Sequence, residues 1–301
     1  MPAAGPAITV THITDPGCPW AYSAWPALAT LKWRYGEQLA WTHAMIGLAE
    51  AAQVYVDRGY TPARQAKWAL RYRRFGMPFA TAPRERVVHT GRACRAVVAT
   101  RLLDPERELD VFRELQFTQF TTTDLFDTDA GVAVALARVA GLDGEVIMAA
   151  LDDPRTENAY QADRATARTA AGSPTAFQDK VAQTDGPVRY TAPSLLLQHT
   201  GSGRSLEAGG FQTIEAYDVC VANLDVTLDR RPAADTAAEV LDAFPYALTT
   251  AEVAAVMTPP LQEVDARTAE TSLIDAVANG QATRRSLGDG ALWLCADHLC
   301  T

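Results

Sequence analysis

Cys18 is the residue whose sequence setting best suits it for chemistry. It follows the β-branched run Ile8–Thr14 and the turn Asp15–Pro16–Gly17, and it precedes Pro19, which suits the first turn of a helix. A sulfur at a helix N-terminus faces free backbone N–H groups and the positive end of the helix dipole, which favour thiolate. We therefore expect Cys18 to have a lowered pKa and to react faster than the other cysteines. The alternative is a small, inert thiol at a strand–helix joint.

The residue one helical turn after Cys18 is Ala21, so the motif reads Cys-Pro-Trp-Ala. Thiol–disulfide exchange passes through a mixed disulfide, which a second cysteine at this position would resolve internally. Alanine cannot do so, and we expect monothiol chemistry in which an outside thiol completes the exchange. We expect most of the remaining cysteines to be buried and inert, and their spacing argues against a metal site. They are Cys94, Cys220, Cys295 and Cys300.

A β-α-β unit must position Cys18. The helix after it is predicted to run to about Lys32 or Trp33, with a kink at Pro26. Residues 39–46 alternate as a second strand does. From about 50 to 179 helical periodicity dominates, which indicates an inserted helical block. A strand pair and a helix then return before residue 228.

This layout resembles the DsbA-type branch of the thioredoxin-like fold and is most similar to the FrnE-like actinobacterial proteins. Cys18-Pro19-Trp20-Ala21 stands where that family has its CPxC motif, and "YTAPSLLL" resembles the segment that carries the family's cis-proline, here Pro193. "GGFQTIEAYDVCVANL" resembles the last strand and final helix. The resemblance covers about residues 8–228. It implies an α/β, thioredoxin-like domain of residues 8–49 and 185–230, with 50–184 as an inserted helical domain.

The resemblance also implies functional residues. Cys18 and Pro193 would be catalytic, and the backbone of Ala192 would receive an extended thiol or peptide as a short added strand. The substrate-binding residues would be Pro19, Trp20, Ala21, Tyr22, Thr191 and Ala192. The implied activity is that of a thiol oxidoreductase without a tightly bound cofactor. It would use mycothiol or glutathione to reduce a small molecule or a mixed disulfide.

Two other functions compete with this one. A kappa-type glutathione transferase or isomerase relative would have a similar fold but usually a serine near this position, so Cys18 counts against it. A redox-inert binding protein would keep the fold without the reaction. A basic run interleaved with aromatic residues could line an anionic pocket, although a solvated helix face is the favoured interpretation. The run comprises Arg58, Arg64, Lys67, Arg71, Arg73 and Arg74, with Tyr60, Trp68 and Tyr72 between them.

Residues 234–301 follow the linker-like "DRRPAAD" and resemble a winged-helix module. "TTAE" at Thr249–Glu252 predicts a capping box, a helix is expected from about Thr268 to Asn279, and a hairpin follows. Three basic residues against ten acidic ones argue against DNA binding, because a recognition helix needs Lys or Arg for phosphates. We therefore expect a role in packing or in forming a homodimer.

The composition is that of a globular protein with a substantial core. Of 301 residues, 48% are hydrophobic and 21% charged, and the net charge of −9 argues against binding to nucleic acid or to an anionic membrane. The first ten residues do not form a secretory signal, and no apolar run is long enough to span a bilayer. These features predict a cytoplasmic protein.

Overall fold

The computed structural model describes residues 5–183 and 186–299. The strands are β1 (Ile8–Thr14), β2 (Leu39–Met45), β3 (Val181–Ala182), β4 (Arg189–Tyr190), β5 (Ser194–His199), β6 (Ser205–Ala208), β7 (Leu248–Thr249), β8 (Ala282–Leu287) and β9 (Gly290–Cys295). The helices in the thioredoxin-like part and the insertion are α1 (Pro19–Ser23), α2 (Trp25–Tyr35), α3 (Gln53–Asp57), α4 (Pro62–Tyr72), α5 (Gly91–Leu103), α6 (Glu108–Thr121), α7 (Asp129–Leu136), α8 (Gly144–Ala150), α9 (Pro154–Ala167), α10 (Pro174–Phe177) and α11 (Ile214–Leu224). Those in the C-terminal module are α12 (Ala237–Ala243), α13 (Thr250–Met257) and α14 (Ala266–Ala278). No helix in these two described ranges combines the length and apolarity needed to cross a bilayer.

A four-stranded sheet in the order β2-β1-β5-β6 positions the Cys18 loop. β1 pairs in parallel with β2 and antiparallel with β5, so the central strand is covered along both edges. Ile8 and Val10 are fully buried on one face of β1 and Ile13 is fully buried on the other, so this strand, rich in β-branched residues, is covered on both faces. The two strands predicted at 8–14 and 39–46 are therefore confirmed.

The helix after Cys18 differs from the prediction. The sequence predicted one helix with a kink at Pro26, but the structure has two helices that part at Ala24, and the second extends to Tyr35. Pro26 lies in the first turn of α2, where its missing N–H has no intrahelical acceptor to lose. The helix that begins beside Cys18 is thus only five residues long.

The inserted helices contact α1, α2 and the end of β2. Trp25 of α2 donates from its indole N–H to the Gln116 side chain of α6 at 2.6 Å, and Phe112 and Val97 belong to the same buried cluster. Met45 at the end of β2 donates its backbone N–H to Asp163 of α9 at 2.9 Å. The predicted boundary between residues 184 and 185 lies outside the described residues, and the division into domains stays a prediction.

The C-terminal module packs against the main body, as predicted. Trp33 of α2 shares a buried cluster with the module and donates to the carbonyl of Pro232 at 2.6 Å. Arg113 of α6 forms a fully buried, two-pronged ion pair with Glu252 of α13. The capping box at Thr249 is present, whereas α12 was not predicted. The resemblance to a winged helix stays a prediction.

The turn between β8 and β9 touches the inserted region directly. Asp289 in this turn accepts a hydrogen bond from the backbone N–H of Phe79 at 2.9 Å. Its other oxygen forms a 2.7 Å ion pair with Arg73, which also donates to the Phe79 carbonyl. The module therefore holds the segment that follows α4.

Candidate active site

Cys18 caps the N-terminus of α1 and faces the Pro193 segment. Its backbone is extended, its N–H donates to the Asp15 carbonyl at 3.1 Å, and its own carbonyl accepts from Tyr22 at 3.0 Å. The side chain is 5% exposed, and its thiol donates to the carbonyl oxygen of Ala192 at 3.2 Å. The Ala192–Pro193 bond is cis, as the resemblance implied. The structure thus brings Cys18, Ala192 and Pro193 together.

The lowered pKa predicted for Cys18 is wrong for this conformation. Burial raises the pKa of the thiol to about 12, and the nearby Asp15 carboxylate raises it as well. The backbone amides of Ala21 and Trp20 and the charge of Arg189 act in the opposite direction but do not outweigh burial. The sequence-based prediction considered only the helix N-terminus, which favours thiolate, but α1 is five residues long. The burial of the sulfur, which favours the neutral thiol, depends on distant parts of the chain and cannot be predicted from the local sequence.

Ala21 and Tyr22 are not placed to touch a substrate with their side chains. Both are fully buried. Ala21 packs in a small cluster with Cys18 and Ala192, and Tyr22 stacks on Phe120 and donates its hydroxyl to the Pro78 carbonyl at 3.1 Å. The prediction of substrate contacts by these two side chains is therefore corrected, because Ala21 is enclosed within its cluster and Phe79 and Phe120 cover Tyr22.

Asp15 is a buried acid beside the sulfur whose role the sequence did not indicate. It accepts hydrogen bonds from the backbone N–H groups of Gly17 at 2.8 Å and Leu48 at 2.9 Å and from the Thr90 hydroxyl at 3.1 Å. Cys94, the other thiol of this region, donates to the same carboxylate at 3.5 Å. Burial raises the pKa of Asp15. Gly17 must lack a side chain, since a Cβ there would overlap the Thr90 methyl group.

The segment before Pro193 supplies a positive charge and an anchor. Arg189 is 8% exposed, donates to the Tyr190 carbonyl at 2.9 Å, and lowers the pKa of Cys18 electrostatically. Thr191, predicted to bind substrate, is half-buried and donates its hydroxyl to the Lys180 carbonyl at 3.0 Å. Ser194 donates to the Thr191 carbonyl at 2.6 Å and closes the turn. Arg189 was missed because its separation from Cys18 in sequence hides their proximity.

A cavity of about 280 Å³ opens beside the Cys18 loop. Pro19 and Trp20, which were predicted to bind substrate, both line this cavity. Trp20 is 38% exposed and packs against the rings of Tyr72, Phe75 and Phe211. The rest of the lining combines aliphatic residues with aromatic and polar ones, and the aromatic and polar residues are Tyr55, Tyr60, Trp68, Tyr72, Phe79, Phe120, Arg58, Gln65, Arg84, Thr90, Gln119, Thr122 and Arg189.

Helix α4 carries three residues of the basic run on its exposed face and two aromatic residues on the face toward the cavity. Arg64, Lys67 and Arg71 are exposed, as the favoured interpretation of a solvated face predicted. Arg58 instead lines the cavity, and Arg73 is half-buried and pairs with Asp289, so that interpretation fails for these two. Trp68 and Tyr72 point instead to the cavity. Because α4 is strongly amphipathic, its aromatic side chains face the cavity beside the Cys18 loop and its basic side chains face solvent. The aromatic wall could have been found from the spacing of the rings, but its closeness to Cys18 could not.

Comparisons with known proteins agree with this geometry. The family model of the DSBA-like thioredoxin domain matches residues 9–192. No curated protein matches the sequence. A putative protein disulfide isomerase from Nitrosomonas europaea aligns with a TM-score of 0.53 at 17% identity, covering 72% of this chain and 96% of that one. The cytosolic disulfide reductase DsbM from Pseudomonas aeruginosa gives 0.51 at 16% identity, with 73% and 100% covered.

A third solved structure, a probable DsbA oxidoreductase from Streptomyces coelicolor, gives a TM-score of 0.53 at 16% identity, with 76% of this chain and 94% of that one covered. At such identities the neighbours establish the fold. The family match, however, spans more than half of the chain and both sides of the site, from β1 to the residue before Pro193. This chain therefore belongs to the DSBA-like thioredoxin domain family of thiol oxidoreductases.

Proposed function

We propose that the protein is a monothiol oxidoreductase that uses Cys18 with a low-molecular-weight thiol, mycothiol or glutathione, to reduce a small molecule or a mixed disulfide. The observation that carries the proposal is the pair of Cys18 and Ala21. The sulfur meets the backbone of Ala192 before the cis-proline, while the position one turn later holds a buried methyl group. Within this loop the sulfur has no thiol partner to resolve a mixed disulfide.

The exchange proceeds in three balanced steps. The Cys18 thiolate attacks a substrate disulfide, forms a Cys18–S–S bond with one half, and releases the other half as a thiolate. A small thiolate then attacks the sulfur bonded to Cys18, forms a disulfide with the first half, and regenerates the Cys18 thiolate. A second small thiolate then attacks this product, forms the small-thiol disulfide and releases the first half as a thiolate, so that two electrons have passed from two thiols to the substrate.

The reaction requires the sulfur to leave its resting hydrogen bond. In the proposed mechanism the bound substrate pairs with the backbone of Ala192 and displaces the thiol from that carbonyl. Arg189 and the amides of Ala21 and Trp20 then favour the thiolate. The cavity next to Trp20 supplies rings for a planar or apolar group of the substrate, with Arg58 and Arg189 at its edge for a carboxylate.

A second candidate is a redox-inert binding protein. The burial of Cys18 and its raised pKa favour this function, because a protonated, enclosed thiol is a poor nucleophile. In that case the aromatic cavity would hold its ligand without any bond to sulfur. The two functions can be distinguished by one product, because only the oxidoreductase forms a mixed disulfide between Cys18 and a small thiol.

The test is to incubate the reduced protein with oxidised glutathione or the mycothiol disulfide and to measure intact mass and peptide masses. We expect an adduct of one small thiol on Cys18, its removal by the free thiol, and no adduct in Cys18→Ser. Absence of the adduct across pH 7 to 10, together with ligand binding in the cavity, would establish the inert function instead.

The proposal includes the setting of the protein. Cys18, Cys94, Cys220 and Cys295 are free thiols, which suits a reducing cytoplasm, while Cys300 lies outside the described residues. We place no nucleic acid and no membrane among the partners, since the charge balance disfavours both. A homodimer stays part of the proposal.

A further inference from the structure

Three side chains that are metal ligands in other proteins converge at the end of the C-terminal module. Asp242 lies in the last turn of α12, Cys295 ends β9, and His298 lies in the 3-10 turn Ala296–Leu299. One ligand atom of each residue lies within 4.8 Å of the other two. None of these residues lines the cavity beside Cys18, so the cluster is separate from the proposed redox site.

The backbone holds the cluster in place from two sides. Cys295 pairs with Ala282 of β8, and the next residue, Ala296, donates to the Gln281 carbonyl at 2.9 Å. The 3-10 turn Ala296–Leu299 begins directly after Cys295 and brings the side chain of His298 back toward it. This explains why Cys295 and His298 face one point.

Helix α12 brings the third group to the same point. Val240 and Leu241 are buried in the core of the module, and the first turn of the helix is fixed by a 3.0 Å hydrogen bond from Ala237 N–H to Ser272. Asp242, which follows Leu241, projects at the exposed edge of that core. Cys295 is 7% exposed and Asp242 is exposed, so the cluster lies where the core meets solvent.

We propose that Asp242, Cys295 and His298 bind a divalent transition metal of the zinc type. A thiolate, an imidazole and a carboxylate form a ligand set suited to a borderline-soft cation, and three protein ligands leave a fourth tetrahedral position for another donor. The hard cations calcium and magnesium prefer oxygen ligands alone, which this set does not offer. Binding releases the thiol proton, so affinity rises with pH.

Sequence spacing alone argued against a metal because no second pair of cysteines or histidines stands at zinc spacing. In the structure, Asp242 lies close to Cys295 and His298 although it is far from them in the sequence, and it supplies a third ligand. The bound metal would attach the 3-10 turn Ala296–Leu299 to α12. Its removal would loosen the module at this corner and leave the cavity beside Cys18 intact.

The test uses the full chain, stripped with EDTA and then titrated with Zn²⁺ or Co²⁺. We expect stoichiometric zinc by elemental analysis and, with cobalt, a saturable thiolate-to-metal charge-transfer band in the near ultraviolet. Cys295→Ser should lose that band, and His298→Gln and Asp242→Asn should weaken binding at least about tenfold. Cys220→Ser is the matched thiol control and should bind as the wild type does.

Cys300 is retained in every variant, so loss of the band in Cys295→Ser assigns the metal–sulfur bond to Cys295. Far-UV circular dichroism checks the fold, and His298→Gln supplies a variant at a partly exposed position if Cys295→Ser is unstable. A wild-type protein with no saturable cobalt band would overturn the proposal. So would a Cys295→Ser protein that keeps the band at full strength.

Discussion

The Cys18 thiol lies 3.2 Å from the backbone carbonyl oxygen of Ala192, to which it donates a hydrogen bond. This contact joins the start of α1 to the segment before Pro193, two stretches far apart in the sequence. It also uses the same carbonyl that an incoming substrate strand would need. In the proposed mechanism, the sulfur therefore stays protonated until a substrate competes for Ala192.

The first prediction concerns the pH dependence of Cys18. A thiol whose pKa is raised from 9.0 to about 12 has, at pH 7, a thiolate fraction about 1,000-fold below that of an unperturbed thiol. Alkylation by iodoacetamide should therefore be slow at pH 7 and should rise about tenfold per pH unit up to pH 10. Site-resolved mass spectrometry measures this rate. An alkylation rate that reaches a plateau near pH 7 would show that burial does not raise the pKa of the Cys18 thiol.

The second prediction concerns Ala21→Cys. Because the new sulfur would lie one helical turn from Cys18, this variant should form an internal disulfide on oxidation and should lose the small-thiol adduct carried by the wild type. Intact mass before and after thiol treatment distinguishes the two forms. The double variant Cys18→Ser/Ala21→Cys is the control and should remain reduced. An adduct that persists in Ala21→Cys would contradict the proposed geometry.

The third prediction concerns the charge of Arg189. Arg189 lowers the pKa of Cys18, so Arg189→Gln should move the alkylation profile to higher pH and slow the reaction at any fixed pH below it. Arg189→Lys keeps the charge and should retain most of the wild-type rate. An unchanged profile in Arg189→Gln would mean that the guanidinium acts only through its hydrogen bond to Tyr190.

The fourth prediction concerns Asp15, whose charge acts in the opposite direction. Asp15→Asn should lower the pKa of Cys18 and speed its alkylation, because a nearby negative charge is removed. The same change should cost about 1–3 kcal/mol of unfolding free energy, since an amide cannot accept all the hydrogen bonds that converge on the carboxylate. Urea unfolding measures the second effect. Faster alkylation of Cys18 without loss of stability would show that the hydrogen-bond donors to Asp15 find other acceptors.

The fifth prediction concerns the attachment of the C-terminal module. Arg113→Met leaves the buried Glu252 without its partner and should cost about 3–5 kcal/mol of unfolding free energy. The control is Arg155→Met, which breaks an exposed pair with Asp153 and should cost less than about 1 kcal/mol. Urea unfolding at fixed pH gives both values. Equal losses would show that the buried pair does not fasten the module.

The fold could be predicted because its signals are local. The β-branched run of β1, the alternation of residues 39–46 and the capping box at Thr249 each lie within a few residues. The Cys18 and Pro193 segments could be matched for the same reason. The domain boundaries and the winged-helix resemblance stay predictions.

The electrostatics of the site could not be predicted in this way. The burial of Cys18 and Tyr22 comes from chain segments far from them in sequence, and those segments decide the pKa of the thiol and exclude Tyr22 from the cavity. Arg189 acts on the sulfur across a similar separation. Asp242 meets Cys295 and His298 only because α12 packs against β9. Each of these facts depends on tertiary packing.

The contacts of Asp289 with Phe79 and Arg73 connect the C-terminal module to the wall of the cavity. Phe79 is a wall of the cavity, while Asp289 belongs to the hairpin turn of the C-terminal module. A substitution in that hairpin turn would therefore change the cavity wall from a part of the chain that does not include the Cys18 loop. Under the proposed function, the C-terminal module is thus a second place at which substitutions would alter the range of molecules that fit beside Trp20.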